Sequence, residues 1–155
     1  MQKLSTYILL FLMLAVSAGC DSDSKDDNSD GDAFIGNWGL GGIVDASGDR
    51  TAGFVEGFNS VVIGFQSDGG FSLNVDAVLN EADANYEGEY TIVEQNSTVS
   101  VSISVSGQAF PLVFGYEIVN DNQIKLSASG TTAVLLASLF GETLTAPVTI
   151  TLVKG

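Results

Sequence analysis

Residues 98–105 read TVSVSISV, an unbroken alternation of polar and apolar side chains. A period of two places Val99, Val101, Ile103 and Val105 on one face and Thr98, Ser100, Ser102 and Ser104 on the other. A helix would scatter both sets around its circumference, so the segment is a half-buried strand. The same alternation recurs along the chain. Val61, Ile63 and Phe65 form an inward set, as do Phe71, Leu73, Val75 and Ala77, and Tyr90 with Ile92. Leu112, Phe114, Tyr116 and Ile118 follow, then Ile124, Leu126 and Ala128, then Val148, Ile150 and Leu152. Turn formers stand between the runs: Ser67-Asp68-Gly69-Gly70, Gln95-Asn96-Ser97, Ser106-Gly107-Gln108 and Asn120-Asp121-Asn122. Connections this short join sequential antiparallel neighbours. Seven or more such strands must hide their edges, and closing into a barrel does so. The expected fold is therefore all-β, an up-and-down antiparallel β-barrel spanning residues 34–155.

One segment breaks the period. Residues 131–144 (TTAVLLASLFGETL) hold good helix formers, a Thr at the start and Gly141 near the end. They predict a helix of two to three turns before the last strand, packed on the barrel or plugging one end. A buried strand–turn piece is the alternative.

The N-terminus reads as an address. Lys3 precedes the apolar run Ile8–Val16, and the small residues Ser17-Ala18-Gly19 lead to Cys20. That is the layout of a secretory signal. The run is about half the ~20 residues a membrane-spanning helix needs. Ser17-Ala18-Gly19-Cys20 resembles the bacterial lipobox, although Ser17 stands where that family prefers leucine. The resemblance implies cleavage after residue 19, diacylglycerol on the Cys20 thiol and acylation of the new amino terminus, palmitate included. Two or three acyl chains, at ~0.8 kcal/mol per buried methylene, anchor stably where one does not. Cys20 is the chain's only cysteine, so no intramolecular disulfide forms.

Residues 21–33 (DSDSKDDNSDGDA) contain six Asp and no apolar side chain larger than Ala33. Such a stretch buries too little to offset its ordering entropy and reads as a solvated linker. Extended, its thirteen residues reach about 40 Å. The run resembles the export signal that sends lipoproteins of Bacteroidetes-type bacteria to the cell surface. In enteric bacteria, by contrast, Asp directly after the lipidated Cys, here Asp21, marks retention at the inner membrane. The expected location is thus the outer membrane, surface-exposed, with the periplasmic face of the inner membrane as alternative. The division is residues 1–19 signal, 20–33 anchor and linker, 34–155 barrel. Asp26, Asn28, Asp30, Gly31 and Asp32 also fit the first half of a D-x-N-x-D-G calcium loop. The bidentate Glu due at position twelve is Asn37, which favours the linker.

Within residues 34–155, Gly36-Asn37-Trp38 resembles the G-x-W signature of lipocalins, whose Trp closes the barrel's base. A strand ending F-x-x-D-G (Phe65 to Gly69), a G-x-Y-x-I strand (Gly88, Tyr90, Ile92), more meander, a helix and a last strand match the same plan. The resemblance implies an interior that takes a small apolar or amphipathic ligand. The family often packs a late-strand Arg on the Trp; the only Arg here is Arg50, and Lys154 is the only cation in the last strand.

Composition excludes several functions. The chain has 19 acidic residues, five basic residues and no histidine, a net charge of −14. Nucleic-acid binding needs clustered Lys and Arg, and an acidic chain is not drawn to anionic headgroups. Without His or a free thiol, the common acid–base and nucleophilic triads are unavailable, and zinc would have only carboxylates. No cofactor or metal is expected. Glu87 and Glu89 share a strand face at glycosidase-like spacing, but the inward Tyr90 and Ile92 put them on the solvent side. The expectation is a non-enzyme. It is either a binding module, its ligand lined by Phe65, Phe71, Leu73, Tyr90, Val101, Phe114 and Tyr116, or an interaction protein with a filled core. The sequence leaves the oligomeric state open.

Overall fold

The computed structural model describes residues 29–78, 83–140 and 143–155. The signal, the lipobox with Cys20 and linker residues 21–28 lie outside the described residues. The chain runs through a helical turn α1 (Asp30–Phe34), strand β1 (Gly36–Asp45), a two-residue strand β2 (Gly48–Asp49) and helix α2 (Thr51–Gly57). Strands β3 (Phe58–Phe65), β4 (Gly70–Ala77), β5 (Ala84–Val93), β6 (Thr98–Val105), β7 (Gln108–Asn120) and β8 (Gln123–Ala128) form the meander. Helix α3 (Gly130–Phe140) and strand β9 (Val148–Lys154) complete the chain. Every neighbouring pair is antiparallel, and β1 pairs with β9 as well as with β3. The result is a closed eight-strand up-and-down barrel, lipocalin-like, with β2 a small hairpin appendage. The last strand is no addition outside the wall: β9 lies between β8 and β1 and closes it.

The alternation read from sequence sets the inside. Val61, Ile63, Phe65, Phe71, Leu73, Val75, Val99, Val101, Ile103, Leu112, Phe114, Ile124, Leu126, Val148, Ile150 and Leu152 are all buried. Strand β1 shows no such pattern, for a physical reason. Its register against β9 slips between Leu40 and Gly42, so one inserted residue, Gly41, flips the parity. Trp38 is buried before the bulge, and Ile43 and Asp45 after it.

The base of the barrel is where β1 begins, and there α1 crosses it. Phe34 is fully buried, edge-on to Phe65 at 5.2 Å and to Tyr116 at 5.1 Å between ring centroids. Its carbonyl accepts the indole N–H of Trp38 at 2.7 Å. The Tyr116 hydroxyl donates to Asp30 Oδ2 at 2.6 Å. The helical turn Asp30–Phe34 thus includes four residues ahead of residue 34, where the barrel is expected to begin. Asp30–Ala33 carry linker composition, yet they are helical because Phe34 and Asp30 have partners inside the barrel.

At the opposite end, the top, the wall has two wedges. Pairing of β1 with β3 stops at Gly39–Val62, and pairing of β7 with β8 begins only at Gly115–Ser127. A helix fills each wedge and a threonine seals it. Thr51 Oγ1 accepts the N–H of Ile43 at 3.0 Å beside α2. Thr132 Oγ1 accepts the N–H of Val113 at 3.2 Å beside α3. Both hydroxyls give partners to strand N–H groups that the ladders leave over. Helix α3 supplies the short helix expected before the last strand and buries Ala133 and Leu136, while Val134 is 65 % exposed.

Candidate functional site

The barrel interior is the first place to look. Strands β3, β4, β6, β7, β8 and β9 send their inward side chains toward one apolar void, and α3 adds Leu136 from above. Its volume is about 50 Å³. Cavities that bind a benzene-sized molecule are about 150 Å³, so side chains fill this barrel. Eight strands give an interior that is either filled or just wide enough for one small ligand, and here the large side chains decide for filling. Gly88 does not loosen it. A Cβ there would run into the Ser102 carbonyl of β6, so the neighbouring strand occupies the space of the missing side chain.

Of the seven residues expected to line a ligand, Phe65, Phe71, Leu73, Val101 and Phe114 border this void. Tyr90 and Tyr116 do not. Both point inward but sit nearer the base, in an aromatic cluster where Phe65 meets Tyr90 at 5.0 Å and Phe71 at 5.5 Å. Their hydroxyls are engaged, Tyr90 donating to the Gln66 carbonyl at 2.9 Å and Tyr116 to Asp30. Burial first, then the Asp30 hydrogen bond, pushes the Tyr116 phenol well above its usual range. Burial, with Asp68 and Asp32 nearby, raises Tyr90. Leu40, Ile43 and Leu136 also border the void. The bulge at Gly41 hid the first two from a period-two reading. Leu136 follows from the helix docking over the barrel end.

The two signature residues Gly36 and Trp38 open β1 at the base. Gly36 takes φ +134°, backbone that glycine accepts freely. Trp38 is fully buried. Lys154 Nζ lies 5.2 Å from the Trp38 ring centroid, a cation over an aromatic face. The last-strand lysine therefore stands where the resemblance would put an arginine.

At the top rim Asp45 is the one buried acid among the described residues. Its Oδ2 accepts the Thr145 N–H at 3.0 Å and its Oδ1 the Ser47 N–H at 2.7 Å. The Thr145 amide chiefly, with Ser47 and the more distant Arg50 guanidinium, holds its carboxyl below the usual carboxylate range. The group ties the segment before β9 to the β1–β2 turn. It is a clasp, paired at 4.0 Å with Arg50 Nε.

The remaining candidates stay apart. Glu87 and Glu89 are exposed on the outer face of β5. Asp30, Gly31 and Asp32 belong to α1, while Asp26 and Asn28 of the same calcium-like run lie outside the described residues. Among the described residues no group of three or more His, Cys, Asp or Glu is placed to hold a metal ion, and no helix is long and apolar enough to cross a membrane. No protein-family model matches the chain, and no curated protein matches it.

Proposed function

We propose that the chain is a lipid-anchored envelope protein that displays a filled, non-catalytic barrel and acts through its outer surface. The observation that carries this reading is the interior void of about 50 Å³, a third of what even benzene requires. The signal-like N-terminus, the lipobox-like run ending in Cys20 and the acidic linker support the anchor. The lack of histidine and of any cysteine besides Cys20 supports a non-catalytic role. Export to the outer membrane, facing outward, is the location the acidic run favours.

A second reading keeps a small apolar ligand inside the barrel. It is favoured by the gathering of five expected lining residues around one apolar void beneath Leu136. Native mass spectrometry of the protein from its own cells separates the two. The first predicts the mass of chain plus lipid alone; a stoichiometric further adduct supports the second. Changing Cys20 to Ser tests the anchor: it yields unprocessed precursor or soluble protein, and a variant that still partitions into detergent like the parent overturns it.

A further inference from the structure

The outer wall of the barrel is charged unevenly. Outward positions on β4 and β5 carry Asp76, Glu87 and Glu89, all exposed. On β6, β7, β8, β9 and β1 the outward positions are neutral, with two exceptions among the described residues, Glu117 of β7 and Lys125 of β8. Those two are register partners across the β7–β8 ladder and form a salt bridge at 3.7 Å, with side chains 69 % and 42 % exposed. So exposed a pair adds little to the stability of its own chain. The wall above it is neutral and low. One row crosses four strands as Thr98, Gly115, Ser127 and Thr149. Gly115 leaves its backbone bare, with no atom closer than 3.9 Å to a Cβ placed there. Higher up, Val113 is 52 % exposed.

We infer that two copies of the chain pair through this flank; the inference rests on the reading above, in which the barrel acts through its outer surface and is held to a membrane. The flank is self-complementary. A two-fold axis laid between β7 and β8, along the strands, sets β7 of each copy against β8 of the other. Glu117 of each copy then faces Lys125 of the other. Gly115 faces Ser127 and Thr98 faces Thr149 in the same way, as an isologous contact demands. The same axis leaves both bases on one side, where two anchors in one membrane must have them. Charge selects the flank. Two domains of 13 acidic and three basic residues, net −10 each, repel one another, and this flank brings no unpaired acid against another. Its crossed Glu117–Lys125 pairs fix the register. The flank measures about 20 Å across four strands and about 20 Å along the six residues of β8, roughly 400 Å² in projection. A stable dimer buries about 800 Å² per partner, so the contact is weak between free molecules. A shared membrane strengthens it by raising the effective concentration.

Disulfide cross-linking of the full chain in its own cells tests the pairing. Cys20 is the only cysteine, so an introduced thiol is read against the parent chain as blank. Ser127→Cys lies beside the axis and Asn85→Cys on the acidic flank, and both positions are exposed. Under oxidant, Ser127→Cys is expected to give a dimer on a non-reducing gel and Asn85→Cys to stay monomeric. Adding Glu117→Lys or Lys125→Glu to Ser127→Cys puts like charges face to face and is expected to cut the dimer to the Asn85→Cys level. Producing the two reversed chains in one cell restores opposite charges across the pair, and the dimer is expected to return as the mixed species. An ion pair acting only within one chain would not bring it back. Membrane fractionation of the same cells reports the anchor separately. In whichever fraction the protein lies, a dimer yield at Ser127→Cys no higher than at Asn85→Cys overturns the pairing. A dimer that neither reversal diminishes, or reversed chains that fail to pair when mixed, overturns it equally.

Discussion

Phe34 and Asp45 do for the two ends of the barrel what neighbouring strands do for its wall. Phe34 stops the base with a ring that has aromatic edges on two sides. Truncating a buried aromatic to Ala costs about 3–5 kcal/mol, and Phe34→Ala is expected to fall in that range by urea denaturation. The loss should show in near-ultraviolet circular dichroism as well, because the missing ring packs edge-on to Tyr116. Asp45 acts at the top through its charge. Its carboxyl titrates lower folded than unfolded, so the folded state binds its proton less readily. The stability it adds is therefore complete above the ordinary Asp range, near pH 4, and fades as pH falls through the lower folded value. Asp45→Asn is expected to melt below the parent at pH 7, with the gap closing under acid. A gap that stays constant between pH 7 and pH 2 would show that the charge plays no part.

At the scale of elements, the two wedges explain why an eight-strand barrel needs helices at all. Each helix covers a strand edge and supplies one hydroxyl to an orphan N–H, Thr51 for Ile43 and Thr132 for Val113. Thr132→Val keeps the shape and removes the acceptor of a half-buried donor, at a cost of about 1 kcal/mol. Equilibrium unfolding should find that loss, and hydrogen exchange should find the Val113 amide newly unprotected. In the wall itself Gly88→Ala is expected to be at least as damaging, about 1–3 kcal/mol or more from overpacking, because its methyl group collides with the Ser102 backbone. The meander strands were legible in the sequence, since alternation depends only on neighbours two residues apart. Helix α2 was not. Its seven residues, TAGFVEG, include two glycines and no period, and the wedge it fills is a tertiary fact. The turn α1 was hidden by its aspartates, whose order comes from Tyr116, 86 residues further on. The candidate site was half legible for a related reason. Period two says which side of the wall a residue faces and nothing about its height along the barrel. Tyr90 and Tyr116 were thus placed on the correct side and at the wrong level.

For the whole molecule, the entry point of the chain fixes which end faces the membrane if Cys20 carries lipid, the reading proposed above. The described chain begins at Ser29 beside the base, where Asp30 meets Tyr116 and Lys154 meets Trp38. The base is then the near end, and α2 and α3 lie at the far end. Acids reinforce the arrangement. Asp30, Asp32, Asp68, Glu94 and Asp121 all lie on basal elements or turns, and anionic headgroups repel them within a Debye length of about 8–10 Å. The ten residues from Cys20 to Asp30 span up to about 33–36 Å when extended, several times that length. Trp38 is the only tryptophan, so it reports the height of the base without a label. With headgroup-labelled acceptor lipids, energy transfer from Trp38 is expected to be weak in the full chain. Deleting residues 21–28 should strengthen it, and added salt should strengthen it further by screening the repulsion. A dye on Val134→Cys, at the far end, should stay dark to the same acceptors throughout, with Cys20 already consumed by its lipid. Strong transfer from Val134→Cys in place of Trp38 would mean that the barrel lies inverted on the membrane and that its far end is not the displayed surface.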